Sequence, residues 1–153
     1  MKKIMPLSFI IVIFDQIIKI LITNNLILNS SQIVIENFFK LSYVRNYGAA
    51  WSILTGNRIF LIIVAIMSLF LIYKYLIENK KLNLVYNITY GFLIGGLLGN
   101  LFDRIVYGYV IDYLDFKIFN YDFPIFNLAD ICIVLSTFTL IILIGSEKNG
   151  NKI

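Results

Sequence analysis

The 153-residue sequence predicts an all-α integral membrane protein: four transmembrane helices in a single domain over residues 1–153, with a small extracytoplasmic β-sheet. Three observations predict it. Hydrophobic residues make up 59% of the chain and charged residues 14%, against about 45–50% and about 25% in soluble domains. Hydropathy isolates four segments, 4–22, 59–77, 84–101 and 125–145, each near the ~20 residues that a bilayer core demands. Between the first two, residues 32–46 (QIVIENFFKLSYVRN) are rich in β-branched and aromatic side chains and follow a turn signal at Asn29, Ser30 and Ser31.

Taken in order, the first segment follows Lys2 and Lys3 and runs apolar to Phe14, as a secretory signal peptide would. No small-residue cleavage pattern follows, the apolar run resumes beyond Asp15 and Gln16, and Lys19 interrupts it, so the segment is expected to stay as a span. The second is the cleanest, with Ser68 its one polar residue over 59–73. The third carries Gly91, Gly95 and Gly99 at four-residue spacing, with Gly96 beside them, a small-residue face for close helix contact. Before the fourth, residues 103–124 combine Asp103, Asp112, Asp115 and Asp122 with many aromatics and read as a segment at the head-group interface. The link at 78–83 is short and basic and reads as a hairpin between helices. Lys2, Lys3, Lys74, Lys80, Lys81, Lys148 and Lys152 fall on one side of this arrangement. Lys40, Arg45, Arg58, Arg104 and Lys117 on the other side are offset by Glu36, Asp103, Asp112, Asp115 and Asp122. Both termini are therefore expected to be cytoplasmic. The net charge of +4 reflects lysines facing anionic lipid and does not point to nucleic acid.

The residue inventory narrows the chemistry. The sequence contains no histidine, which removes Ser-His-Asp and Cys-His catalysis, His-ligated zinc and imidazole proton transfer. Cys132 stands alone, so neither an internal disulfide nor a multi-cysteine metal site is available. Any reaction must use Asp, Lys, Ser, Tyr or backbone groups, and no metal or cofactor is expected.

An ionisable group inside a span costs at least about 2.5–3.5 kcal/mol on insertion scales, so each needs a partner or a purpose. Asp15 and Lys19 lie one turn apart and read either as a self-neutralising pair or as part of a site. Asn100 and Arg104 emerge one turn apart beside the glycine face, although an Asp103–Arg104 pair at a helix end explains the arginine more simply. Asn127 and Asp130 can cap the fourth helix, with Pro124 preparing its first turn. Together, however, the carboxyls of Asp112 and Asp130 can converge at the membrane surface from the outer ends of neighbouring spans. Two carboxyls that close cannot both ionise easily, so one keeps its proton while the other stays charged. Such a pair can deprotonate a water as it attacks an amide carbonyl and donate a hydrogen bond to the developing oxyanion. In the turn at 45–52, Asn46 offers both donor and acceptor, and Gly48 with its alanine neighbours lets a substrate backbone approach; a tight turn back to the membrane is the plainer alternative. A Ser52–Lys19 dyad is discounted because Ser52 belongs at the outer interface and Lys19 already has Asp15. Cys132 reads as core packing.

Five motifs in order, DQIIK at 15–19, RNYGAAWS at 45–52, GGLLGNLFDR at 95–104, GYVIDYLD at 108–115 and FPIFNLAD at 123–130, resemble those of the lipoprotein signal peptidases (signal peptidase II). The resemblance spans nearly the whole chain. It implies four transmembrane helices with an extracytoplasmic sheet cradle, catalytic aspartates at Asp112 and Asp130, and substrate-binding or supporting residues at Asp15, Lys19, Asn46, Gly48, Asn100, Arg104 and Asn127. It further implies an aspartic endopeptidase of the bacterial cytoplasmic membrane, multi-pass, with its active site at the outer face. Its substrates would be prolipoproteins whose cysteine bears diacylglyceryl, cut on the amino side of that cysteine. Membrane lipids and these substrates are the expected partners, the chain acting as a monomer.

A small transporter or channel is the competing class, with Asp15, Lys19 and Asp130 relaying ions and the glycine face mediating dimerisation. Depth separates the two readings: the second segment is apolar throughout, and most acids crowd the outer edge. A purely structural subunit leaves the paired aspartates unexplained.

Overall fold

In hydrocarbon a lone segment can satisfy its backbone only by coiling on itself, and each of the four apolar segments is helical. The computed structural model describes residues 4–49, 53–78 and 83–148. Its elements run α1 (Ile4–Asn25), β1 (Ser31–Ile35), β2 (Phe39–Asn46), α2 (Arg58–Glu78), α3 (Leu84–Val106), β3 (Val110–Ile118), β4 (Tyr121–Asp122) and α4 (Leu128–Lys148). All four helices are long and apolar enough to cross a membrane. The 78–83 hairpin, Ser52, Trp51 and the terminal lysines used for orientation fall largely or wholly outside the described residues.

Helix α3 is the centre of the bundle, with α1, α2 and α4 packed around it. Its glycines explain how. A Cβ at Gly95 would stand 2.6 Å from Ile11 Cβ, and one at Gly99 would stand 2.6 Å from Asp15 Oδ2, both on α1. On the adjoining face a Cβ at Gly96 would meet Ala129 O of α4 at 2.5 Å. The glycine row therefore seats α1, and the offset Gly96 seats α4. Both contacts lie within one chain, so the face that could have mediated dimerisation is already filled. Away from the sheet, Ile4, Leu76, Tyr86, Tyr90, Leu93 and Leu143 form a buried cluster. Elsewhere the helices present large apolar side chains outward, as Phe60, Met67 and Phe70 do on α2, which suits a lipid-facing surface.

Helix ends are set by specific groups. Asn83 caps α3, its Oδ1 accepting from Tyr86 N at 2.9 Å. At the other end Gly108 adopts a left-handed backbone (φ +87°), and the N–H groups of Tyr107 and Gly108 both donate to Asp103 O. Arg58, the first residue of α2, donates to Arg104 O (2.7 Å) and Ile105 O (2.9 Å). It thus satisfies two final carbonyls of α3 and places a cation at the negative end of the helix dipole.

The sheet is antiparallel with strand order β1-β2-β3-β4. Phe119 and Asn120 both take positive φ in the two-residue loop between β3 and β4, as a type I′ hairpin requires. Tyr43 of β2 and Ile111 and Tyr113 of β3 pack with Ile22 of α1, which seats the sheet on the end of the bundle.

Two expectations need correction. Asp112 is expected at the outer end of a span; instead 103–106 complete α3 and 110–118 form a strand paired with β2, placing Asp112 opposite Val44. Asp112 thus comes from a strand, not from the end of a span. The helices also differ in extent from the apolar windows, α1 continuing to Asn25, α3 to Val106 and α4 beginning at Leu128. A hydropathy window ends where average polarity rises, whereas a helix ends where its backbone groups find caps.

Replacing Gly96 by Ala should push α3 from α4 and lower stability by about 1–3 kcal/mol, the usual penalty of overpacking. Gly145→Ala, where nothing stands within 4 Å of the new Cβ, should leave the unfolding midpoint in detergent close to that of the parent.

Candidate active site

The start of α4 supplies the first carboxyl. Asn127 accepts from Asp130 N at Oδ1 (2.9 Å), while Asn127 N donates to Asp130 Oδ2 (3.2 Å). This reciprocal cap uses an aspartate where glutamate is more usual. Strand β3 brings Asp112 to the same place. Asn127 Nδ2 donates to Asp112 Oδ1 at 2.7 Å, so one asparagine touches both carboxyls. Asn46, the last residue of β2, donates its Nδ2 to Asp112 Oδ2 at 2.9 Å. From α3, Asn100 Nδ2 donates to Asp130 Oδ1 at 2.7 Å. The capping role and the site role thus fall on the same atoms of α4.

Lys19 fixes which way Asn100 points. Its ammonium, which can only donate, lies 3.2 Å from Asn100 Oδ1. The amide nitrogen must then face Asp130. Lys19 also pairs with Asp15 (2.7 Å) and Asp103 (2.8 Å), and all three side chains are fully buried. Each of these acids braces a backbone amide beside a candidate catalytic residue. Asp103 Oδ2 accepts from Ile111 N (3.2 Å), immediately before Asp112, and Asp15 Oδ1 accepts from Ala129 N (3.1 Å), immediately before Asp130. Gln16 closes the cluster by donating to Asp103 Oδ1 at 2.8 Å.

Above the pair, the turn after β2 is pinned in place. Gly48 N donates to Asn46 Oδ1 (2.9 Å), and Arg104 Nη2 donates to Gly48 O (2.9 Å). Gly48 is buried, so the turn packs closely over Asn46.

Burial pushes the Asp112 carboxyl up to about 7, with the charge of Asp130 adding to the rise and hydrogen bonds from Asn46 and Asn127 opposing it. Near neutral pH one site thus holds a carboxyl poised between its two forms and a second carboxyl linked to it through Asn127. This is the composition of an acid–base pair.

A family profile described as Signal peptidase (SPase) II matches residues 7–145. The chain belongs to the signal peptidase II family. Among curated relatives, the lipoprotein signal peptidase of Staphylococcus aureus strain JH9 is 36% identical over 146 residues, covering 95% of this chain and 90% of the relative. That of strain Newman matches to the same extent. A solved bacterial membrane enzyme, determined by the in meso method at 2.3 Å, superposes with a TM-score of 0.91 at 34% identity, covering 99% of this chain and 93% of that one. A second such structure at 1.9 Å gives 0.83 at 36% identity, covering 93% and 92%.

The peptidase brings together all nine residues singled out in the sequence: Asp15, Lys19, Asn46, Gly48, Asn100, Arg104, Asp112, Asn127 and Asp130 form one connected network. The expected Asp103–Arg104 pair does not form: Asp103 turns to Lys19, and Arg104 to Gly48 O and Asn100 O. Asp103 and Gln16 were missed as site residues. A signal existed for Asp103, which extends the four-residue spacing of Gly91, Gly95 and Gly99 by one turn and so lies on the face toward α1. Cys132 is buried in the core, as expected.

Replacing Lys19 by Met leaves Asp15 and Asp103 buried without a cation and should cost about 3–5 kcal/mol. Adding Asp103→Asn to that variant should recover part of the loss, measured as unfolding midpoints in detergent.

Proposed function

We propose that this peptidase removes signal peptides from prolipoproteins whose cysteine already carries diacylglyceryl, cutting on the amino side of that cysteine with a water activated by Asp112 and Asp130. The observation that carries the reading is the joint hold of Asn127 on both carboxyls, one of them raised to about 7. The ionised carboxyl takes a proton from water as its oxygen attacks the scissile carbonyl carbon, and the protonated carboxyl donates a hydrogen bond to the oxyanion. Collapse of the tetrahedral intermediate breaks the C–N bond as a proton passes to the leaving nitrogen. The products are a signal peptide carboxylate and the free amine of the lipid-bearing cysteine. Asp15, Lys19, Asn46, Asn100, Arg104 and Asn127 hold the pair in place, and Gly48 leaves room for the substrate backbone.

The lipid on the substrate anchors the scissile bond near head-group depth, where the ends of α1, α3 and α4 meet the sheet, so membrane partitioning supplies proximity. The lysine distribution supports cytoplasmic termini and an active site at the outer face of the bacterial cytoplasmic membrane. The chain acts as a monomer, consistent with a glycine face that is filled internally.

Asp112→Asn and Asp130→Asn should each lower cleavage of a lipid-modified prolipoprotein in detergent by about 10²–10⁴-fold while the protein remains inserted. Substantial retained cleavage by either variant overturns the mechanism. The pair works with one shared proton, so activity should fall as pH rises through about 7 and both carboxyls ionise. The Asn46 hydrogen bond favours the charged form of Asp112. Asn46→Leu should therefore move that alkaline limb to higher pH.

A further inference from the structure

The sheet side of the molecule carries cations that mostly face an acid or a carbonyl. Lys40 stands opposite Asp115 and Lys117 opposite Asp122 across their strand pairs. Arg58 donates to the last carbonyls of α3, and Arg104 to Gly48 O. Like them Arg45 forms no ion pair among the described residues, but the residue opposite it across the strand pair is the apolar Ile111. Tyrosines frame it instead. Its Nε donates to Tyr43 Oη at 3.2 Å, and its guanidinium carbon lies 4.6 Å from the ring centroid of Tyr109 and 5.8 Å from that of Tyr43. Tyr47 meets Tyr109 edge-on at 5.5 Å, and Tyr107 stacks on it at 6.2 Å. Aromatic faces hold a guanidinium in position without neutralising it.

The location matters as much as the frame. Tyr107 is the C-cap of α3 and Tyr109 lies two residues beyond it, so the frame begins where a membrane-spanning helix ends. Tyrosines favour head-group depth. An un-neutralised planar fork of donors at that depth matches a phosphate oxyanion better than any neutral group. Arg45 is adjacent to Asn46 on β2, and successive strand residues point to opposite faces. The frame is therefore separate from the carboxyl pair while sharing its strand.

We propose that Arg45, with Tyr43, Tyr47 and Tyr109, binds the phosphodiester head group of an anionic membrane lipid. Bound there, the lipid fixes the height of β2 above the bilayer, and with it the height of the turn that carries Asn46 and Gly48. The interaction does not depend on the peptidase mechanism, and lipid retention is read without turnover.

The test places the full chain in phosphatidylcholine nanodiscs containing a minor share of phosphatidylglycerol and measures phosphatidylglycerol retained on the protein by native mass spectrometry. Arg45→Gln should weaken retention by about fivefold, the scale expected for one cation near an anionic surface. In discs of phosphatidylcholine alone, added inorganic phosphate should not occupy the site. Equal retention by wild type and Arg45→Gln overturns the proposal. So does saturation by inorganic phosphate, which would make the ligand a soluble anion. A rise in KM for prolipoprotein in Arg45→Gln of the same size with and without phosphatidylglycerol would also overturn it, by assigning the arginine to the peptide. Should Arg45→Gln unfold at a lower temperature, Arg45→Lys carries the comparison, since it keeps the charge and loses the planar fork. Weaker phosphatidylglycerol retention by Arg45→Lys supports the site, and unchanged retention overturns it.

Discussion

A lysine ammonium held at full burial between two carboxylates is the constraint on which the rest of this molecule depends. Moving such ions out of water costs several kcal/mol each unless the geometry is close and further hydrogen bonds satisfy the remaining lone pairs. Here Lys19 lies 2.7 Å from Asp15 and 2.8 Å from Asp103, while Gln16 and the amides of Ala129 and Ile111 complete the carboxylate shells. From α1 these contacts reach α3 at Asp103, α4 at Ala129 and β3 at Ile111. Satisfying one buried cation therefore fixes α1 against α3, α4 and β3 together, and the glycine row of α3 is what lets α1 come close enough.

That coupling explains how the two carboxyls are kept in register. Asp112 and Asp130 arrive on unlike elements, a strand and a helix start, with no covalent reason to meet. The backbone just ahead of each is held by one of the two acids that share Lys19, and their side chains are joined by Asn127. Asn100 passes the influence of Lys19 on to Asp130 by the fixed direction of its amide. Three asparagines, Asn46, Asn100 and Asn127, supply the side-chain donors to the two carboxyls, so those donors are in place before any charge develops there.

Polar chemistry in a membrane protein is easiest where the hydrocarbon ends. The helices present apolar side chains outward along their length, and the carboxyl pair sits where α3 ends, α4 begins and the sheet covers both. The proposed lipid-anchored substrate would meet the carboxyl pair at that level.

The sequence by itself determined the four apolar helices, the β1–β2 hairpin segment and the exclusion of histidine chemistry. It also marked Asp112 and Asp130, because each of these follows from local hydropathy, side-chain shape or the inventory of reactive groups. The five motifs extended this to the supporting residues. Tertiary structure decided the rest. Residues 110–118 become a strand only by pairing with 39–46 across two intervening helices, an interaction that no local window contains. Asp103 looked like the partner of its neighbour Arg104, yet a buried cation chooses its acids by which helices can approach. The glycines of α3 bring Lys19, not Arg104, to that carboxylate. Local sequence records what a segment prefers to be buried in, whereas the partner of a buried charge is set by the packing of whole elements.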